Sequence, residues 1–324
     1  MEFTKQHPYP EDFEEFLDWF QTERDCVEYL AWIRWGDGFA CPKCGAKSYW
    51  KEASGLWKCK SCGHRASARS GTVFDDGRKP LRLWFFVMWL LMAQRTGLSA
   101  KNFYDTFGFG SYQTAWGWLQ KLRSVMIRAG RDKLKGRVEV DEALVGGQHE
   151  GTRGRGDPAK TLIMVAVEAP ERTRLGRVRF RIAESAETPV VIRFVKDYIL
   201  SGATIVTDGL KSYNMLDGMN EYRHERHMQT FRHQLLTNPD SRLDHVHLVI
   251  SLLKRWLMGT HQGAVTPEHL AGYLDEFAFR FNRRLSTHRG KLFYRLMQQA
   301  VTMRPKTIKE FYVARPSMAH AKKA

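Results

Sequence analysis

A chain of 324 residues with 51 lysines and arginines against 35 aspartates and glutamates carries a formal net charge of +16. Its hydrophobic fraction of 43% is enough for a sizeable core, and its length predicts about two domains. These values exclude a disordered chain, a collagen-like fibre and a disulfide-stapled miniprotein, and the basic excess points to a polyanion, most often nucleic acid. The charge is segregated: residues 1–40 hold 3 basic and 10 acidic side chains, whereas residues 277–324 hold 12 basic and 1 acidic.

The acidic N-terminus lacks the apolar stretch of a secretory signal. The longest apolar run, Leu83 to Ala93, has 11 residues, against the roughly 20 needed to span a bilayer. A cytoplasmic protein with no membrane contact is expected. Pro10 to Trp35 reads as a helix, with Phe13, Phe16, Leu17 and Phe20 at helical spacing and an acidic polar face. Next, Cys41 and Cys44 form one Cys-x-x-Cys pair and Cys59 and Cys62 a second, 14 residues apart, each followed by a glycine. In a chain without an export signal this spacing favours metal over disulfides. Two such knuckles close a tetrahedral structural Zn²⁺ site, with Ser48–Lys51 and Leu56–Lys58 as the hairpin of a zinc ribbon. The acidic helix and ribbon are taken as one domain, residues 1–75.

Residues 76–130 read as three helices: the apolar run after Pro80, a helix capped by Ser99, and after a GFGS turn a third capped by Ser111. In the third, Ala115, Trp118, Leu119, Leu122, Val125 and Met126 form an apolar stripe. Gln113, Thr114, Gln120 and Lys121 fall on the opposite face and are the expected DNA contacts of a helix-turn-helix.

From residue 131 the order becomes α/β. Val138–Val145, Thr161–Glu168 and Gly176–Glu184 read as strands, Pro189–Leu200 as a helix and Ala203–Thr207 as a strand, with a Gly- and Arg-rich loop at 148–160. Leu248–Leu257 and Pro267–Arg284 read as further helices. This order is compatible with a ribonuclease H-like domain over 131–303, followed by a basic tail, 304–324.

Chemistry on a phosphodiester is served by two Mg²⁺ or Mn²⁺ ions held by carboxylates on adjacent rigid elements. Asp141 lies in an otherwise largely apolar strand, where a charge is costly unless paired or bound to metal. Asp208 ends another strand, where ligands bind in α/β sheets. On spacing alone, Asp141 also reads as a solvent-facing strand residue and Asp208 as a turn-forming Asp-Gly.

The chain resembles bacterial insertion-sequence transposases of the DDE type, in the branch with an N-terminal zinc ribbon. The resemblance rests on the Cys41–Cys62 ribbon, GRVEVDEALVGG at 136–147, GRGDPAK at 154–160, IVTDGLKSY at 205–213, SLLKRWLMGTHQG at 251–263 and YLDEFAFRFNRR at 273–284. It implies that Asp141 and Asp208 are the first two catalytic metal ligands, and that the enzyme cuts and joins transposon ends by direct in-line attack. The third position, often Glu or Asn in such proteins, falls on His247, seven residues before Lys254 and on the same helical face. An imidazole suits softer ions than Mg²⁺, and Asp244, one turn earlier, is the alternative ligand. Lys254, Arg255, Arg280, Arg283 and Arg284 are the expected phosphate contacts. Double-stranded DNA, held by a dimer or larger assembly in the nucleoid, is the implied partner. The departure at His247 leaves a non-catalytic DNA-binding regulator as a rival, and a structure-selective nuclease is a second.

Overall fold

A computed structural model describes residues 3–75, 79–127, 130–146, 160–170, 174–227, 243–263, 265–303, 307 and 310–311. Most of the loop at 148–160, with its GRGDPAK motif, and most of the basic tail 304–324 lie outside the described residues. The chain divides into two compact units, Met1–Arg128 with Leu285–Ala324, and Ala129–Arg284.

The first unit opens with two helices where the hydrophobic spacing predicts one: α1 (Phe13–Trp19) and α2 (Glu23–Arg34). The break is local chemistry. The Thr22 hydroxyl accepts from the Asp25 amide and the Asp25 carboxylate from the Thr22 amide, a reciprocal cap that starts a new helix. Strands β1 (Tyr49–Lys51), β2 (Trp57–Cys59) and β3 (Arg65–Ala66) form an antiparallel sheet in that order. The Arg34 guanidinium fastens α2 to the segment after it, donating to the carbonyls of Ser67, Ala68 and Ser70.

Helices α3 (Leu81–Ala93), α4 (Ala100–Phe107) and α5 (Tyr112–Ser124) follow at the expected places, with Ser99 and Ser111 as caps. The Trp84 and Trp118 rings stack at 3.5 Å between centroids. The outward polar face expected of a helix-turn-helix does not extend along α5. Gln120 and Lys121 are buried, at 3% and 4% exposure, so neither is a DNA contact in this fold. Every residue from Ala115 to Arg123 is buried, because α5 lies inside its unit instead of on its surface. Gln113 is exposed and Thr114 half-buried in the first turn.

Helix α9 (Arg289–Thr302, numbered in chain order after the two helices below) was not distinguished in the sequence and fell within the span assigned to the catalytic domain. It packs against α2 and α3 in the first unit. Phe293 joins Phe16, Phe20, Tyr29 and Phe85 in an aromatic core. Gly290 is required there, because a Cβ would collide with the Pro10 carbonyl oxygen.

The second unit is built on a five-stranded sheet of β4 (Arg137–Val145), β5 (Thr161–Glu168), β6 (Val178–Ile182), β7 (Thr204–Thr207) and β8 (Arg223–Arg226), in the order β6-β5-β4-β7-β8. The first three strands pair antiparallel, whereas β7 is parallel to both β4 and β8. The parallel step requires a crossover, supplied by α6 (Thr188–Tyr198). A 3₁₀ segment, Lys211–Gly218, links β7 to β8. One sheet face packs on α6, through Val138, Val140, Val191, Phe194 and Val195. The other packs on α7 (Asp244–His261) and α8 (Pro267–Phe281), through Ala143, Val145, Val165, Val206, Val249, Leu253 and Phe277. This mixed sheet with helices on both faces is the expected ribonuclease H-like arrangement.

Candidate active site and zinc centre

Strand alternation decides which side chains meet. Glu139 of β4 stands opposite Val206 of β7 in parallel register. Asp141 and Asp208 each lie two residues farther along. Successive side chains alternate faces, so Asp141 shares the face of Glu139, Ala143 and Val145, which α7 covers, whereas Asp208 directly follows Thr207, the last residue of β7. Each is oriented locally: Asp141 Oδ1 accepts from the Glu142 amide at 2.8 Å, and Asp208 Oδ1 from the Leu210 amide at 3.0 Å. Glu142 points to the other face, where it accepts from the hydroxyl of buried Tyr213 at 3.1 Å.

Helix α7 brings His247 to this edge. Its Nε2 lies 3.2 Å from Asp141 Oδ2, with the Asp141 side chain 14% and that of His247 45% exposed. The hydrogen bond to Asp141 raises the His247 pKa above the ordinary imidazole value; partial burial opposes this, and the charges of Asp141, Glu139 and Asp244 add to it. Asp244 is exposed in the first turn of α7, one turn before His247. Lys254 and Arg255 are exposed farther along the helix.

The sequence reading missed what holds α7 in place. The helix has no side-chain cap from its neighbours. Its cap comes from β4: Glu139 Oε2 accepts from the amides of His245 and Val246, both at 2.9 Å. His245 Nδ1 closes a 2.7 Å contact with Glu139 Oε1. The buried carboxylate thus satisfies two orphan amides at a helix N-terminus, where the backbone dipoles favour negative charge. The signal was a second acidic residue on the Asp141 face of an apolar strand; nothing in the sequence paired it with His245. A second missed network adjoins Asp208. Thr207 Oγ1 lies 2.9 Å from His224 Nε2, and His224 Nδ1 lies 2.7 Å from Asp217 Oδ1.

The expected arginine cluster is engaged within its own unit. Arg280 pairs with buried Glu276 at 3.4 Å. Arg283 lies over the Phe279 ring, and Arg284 lies over Phe281 while donating to the carbonyls of Leu175 and Gly176. These contacts secure the end of α8.

The two carboxylates fit Mg²⁺ or Mn²⁺ as hard oxygen donors, each with one oxygen fixed by an amide. Among the described residues, the four cysteines alone bring three or more metal-ligating atoms within 4.8 Å of one another.

At the ribbon, the amides of Gly45 and Gly63 donate to the carbonyls of Cys41 and Cys59, and both glycines adopt positive φ (+74° and +69°), which closes each knuckle. The Cys41–Cys62 and Cys44–Cys59 sulfurs lie 3.7 and 3.6 Å apart. Tetrahedral Zn–S bonds of about 2.3 Å require sulfurs about 3.8 Å apart, so the cluster fits a structural Zn²⁺. Amide hydrogen bonds from Cys62 and Ser61 hold the Cys59 thiol down to about 6, against the effect of burial. The Ala46 amide lowers Cys44 in the same way, but the surrounding sulfurs, with burial, outweigh it and push that thiol up to about 12. A bound cation relieves this crowding of thiolates.

The sequence matches the ISXO2-like transposase domain over residues 133–282 and the transposase zinc-ribbon domain over residues 21–65, together more than half of the chain. The chain thus carries an ISXO2-like transposase domain and a transposase zinc-ribbon domain. It is 28% identical over 278 residues to an uncharacterized protein in transposable element ISH50 of Halobacterium salinarum, covering 81% of this chain and 91% of that protein. A likeness to a chain in the cryo-EM structure of a simian T-cell lymphotropic virus intasome with PP2A regulatory subunit B56 gamma has a TM-score of 0.28 at 11% identity. It covers 55% of this chain and 67% of the other. Among the described residues, no helix is long and apolar enough to cross a membrane.

Proposed function

We propose that the protein binds the inverted-repeat ends of a transposon and catalyses metal-dependent DNA cleavage and strand transfer. The observation that carries this reading is Asp141 on β4 and Asp208 just past the end of β7, the neighbouring parallel strand, with His247 of α7 against Asp141. In this reading Asp141, Asp208 and His247 hold Mg²⁺ or Mn²⁺. Bound there, the ions supply an activated oxygen nucleophile and neutralise charge on the phosphate and the leaving oxygen. The chain's own contribution is placement. Strand pairing fixes Asp141, the turn after β7 fixes Asp208, the Glu139 cap fixes the helix that carries His247, and exposed Lys254 and Arg255 hold the DNA backbone near the site. Gln113 and Thr114 in the first turn of α5 offer polar groups to DNA. The partner is double-stranded DNA, transposon end and target, held in the cytoplasm by a dimer or larger assembly that brings two ends together.

The test uses the purified protein, a DNA carrying the element's own flanks, and Mg²⁺ or Mn²⁺, with products mapped on a denaturing gel. Cleavage at the element tips that Asp141→Asn abolishes is the expected result, with a joined product separating a transposase from a hydrolytic nuclease. One observation favours a second reading, a DNA-binding regulator without catalysis: His247 Nε2 rests on the Asp141 oxygen that a cation would take. Specific end binding with no cleavage in either metal would establish that reading instead.

A further inference from the structure

We propose that the outward face of the zinc-ribbon sheet is a DNA contact surface centred on Trp50. Cross-strand pairing assembles it. Trp50 of β1 pairs with Lys58 of β2, and Lys58 pairs with Arg65 of β3, so the three side chains stand on one face. Lys60, two residues beyond Lys58, joins the same side. The opposite face is spent on packing, with Trp57 and Ala66 buried and the Trp57 ring against Trp35.

Trp50 is 54% exposed, a large apolar surface left in water. It is surrounded by cations: Lys60 Nζ lies 5.3 Å and Lys58 Nζ 6.0 Å from the ring centroid. Arg65 carries the row onward, its side chain 62% exposed and its Nε paired with Glu52 at 3.0 Å. A cationic rim around an exposed indole is complementary to one chemistry in particular, phosphate oxygens beside the apolar face of a backbone sugar. Aromatic rings and basic side chains are used together in this way on nucleic acid. An acidic protein would satisfy the lysines but not the flat exposed ring, and the occupant we assign is DNA. The inference rests on the DNA-binding half of the function proposed above and not on cleavage.

The experiment measures binding of the full-length, zinc-loaded protein to a short labelled DNA duplex across a range of salt concentrations. Trp50→Ala is expected to weaken binding about tenfold with little change in salt dependence, the loss of apolar contact and not of charge, and Trp50→Phe to restore most of the loss. The Lys58→Gln/Lys60→Gln pair should lower the slope of log affinity against log salt by about 2, the signature of two lost phosphate contacts. Zinc stoichiometry and the far-ultraviolet spectrum report that the ribbon remains folded in each variant. Wild-type affinity and slope in both the tryptophan and the lysine variants would overturn the inference, as would equal weakening by Trp50→Ala of binding to polyglutamate. Because the readout is binding, the two proposals fail separately. A protein that cleaves DNA but is indifferent to these variants refutes only the ribbon surface. One that needs Trp50 to bind but never cleaves refutes only the catalysis.

Discussion

Replacing Glu139 is the sharpest test of how the candidate site is held. Its carboxylate is 2% exposed and serves three donors at once, the amides of His245 and Val246 and the His245 ring. Glu139→Ala strips the acceptor from all three and opens a cavity between β4 and α7. A buried donor left without a partner costs about 1–3 kcal/mol, and breaking a buried pair from one side about 3–5 kcal/mol. These losses overlap, since one carboxylate makes every bond, so the whole effect should be about 3–5 kcal/mol, at the upper end of single-residue effects. Glu139→Gln keeps one acceptor oxygen but turns an amide NH₂ toward donors, and should cost about 1–3 kcal/mol. Hydrogen exchange locates the effect: the His245 and Val246 amides should lose protection in the alanine variant first, and urea titration should give the overall loss. A loss below about 1 kcal/mol with protection unchanged at both amides would refute the reasoning. The cap would then be ornamental and α7 would be held by its apolar face alone.

Chelating zinc from the ribbon should unfold β1–β3 and expose Trp57, read as a red shift and loss of tryptophan emission, with the second unit's amide protection unchanged. The Glu168–Arg177 pair gives a pH prediction. Burial raises the Glu168 pKa, but hydrogen bonds from Arg177 and from the Lys135 amide outweigh it and hold the carboxyl below its usual range. A lowered folded-state pKa gives stability that is present above the unfolded pKa and lost as pH falls through the folded one. Arg177→Gln should therefore destabilise the protein at neutral pH and flatten the acid limb below about pH 4, measured as melting temperature against pH; an unaltered acid limb would exclude this pair as a contributor. Gly290→Ala should cost about 1–3 kcal/mol by forcing α9 away from the Pro10 carbonyl, seen as a lower melting temperature.

Elements whose signals are local were readable from the sequence. The Cys-x-x-Cys knuckles, the serine caps at Ser99 and Ser111, and the apolar strands 161–168 and 204–207 carry their structure in adjacent residues. What escaped was set at a distance. Strand β8 has four residues, RHER, none of them apolar, and exists because β7 needs a parallel neighbour. Helix α9 follows the second unit in sequence but completes the aromatic core of the first, a choice made by Tyr29, Phe16 and Phe85 far upstream. Amphipathic spacing also misled in α5. Its stripe is real, yet the face opposite is covered too, so spacing identified the helix without identifying its solvent side.

The same distinction bears on His247. Family register alone placed it as a third ligand, and register says nothing about whether a side chain arrives. Two features deliver it: the Glu139 cap, which fixes where α7 begins, and the apolar contacts of Val249 and Leu253, which fix its rotation against the sheet. With both in place, the residue one turn after Asp244 must face the Asp141 edge whatever its identity. The position is therefore built independently of the side chain that occupies it. On this argument His247→Glu should keep α7 protection, lower stability in the metal-free protein by setting a second carboxylate beside Asp141, and move metal preference from Mn²⁺ toward Mg²⁺ by changing the donor atom. Calorimetric titration with each ion on the two proteins measures that shift. An unchanged preference would remove His247 from the metal site and leave it as the ion-pair partner of Asp141.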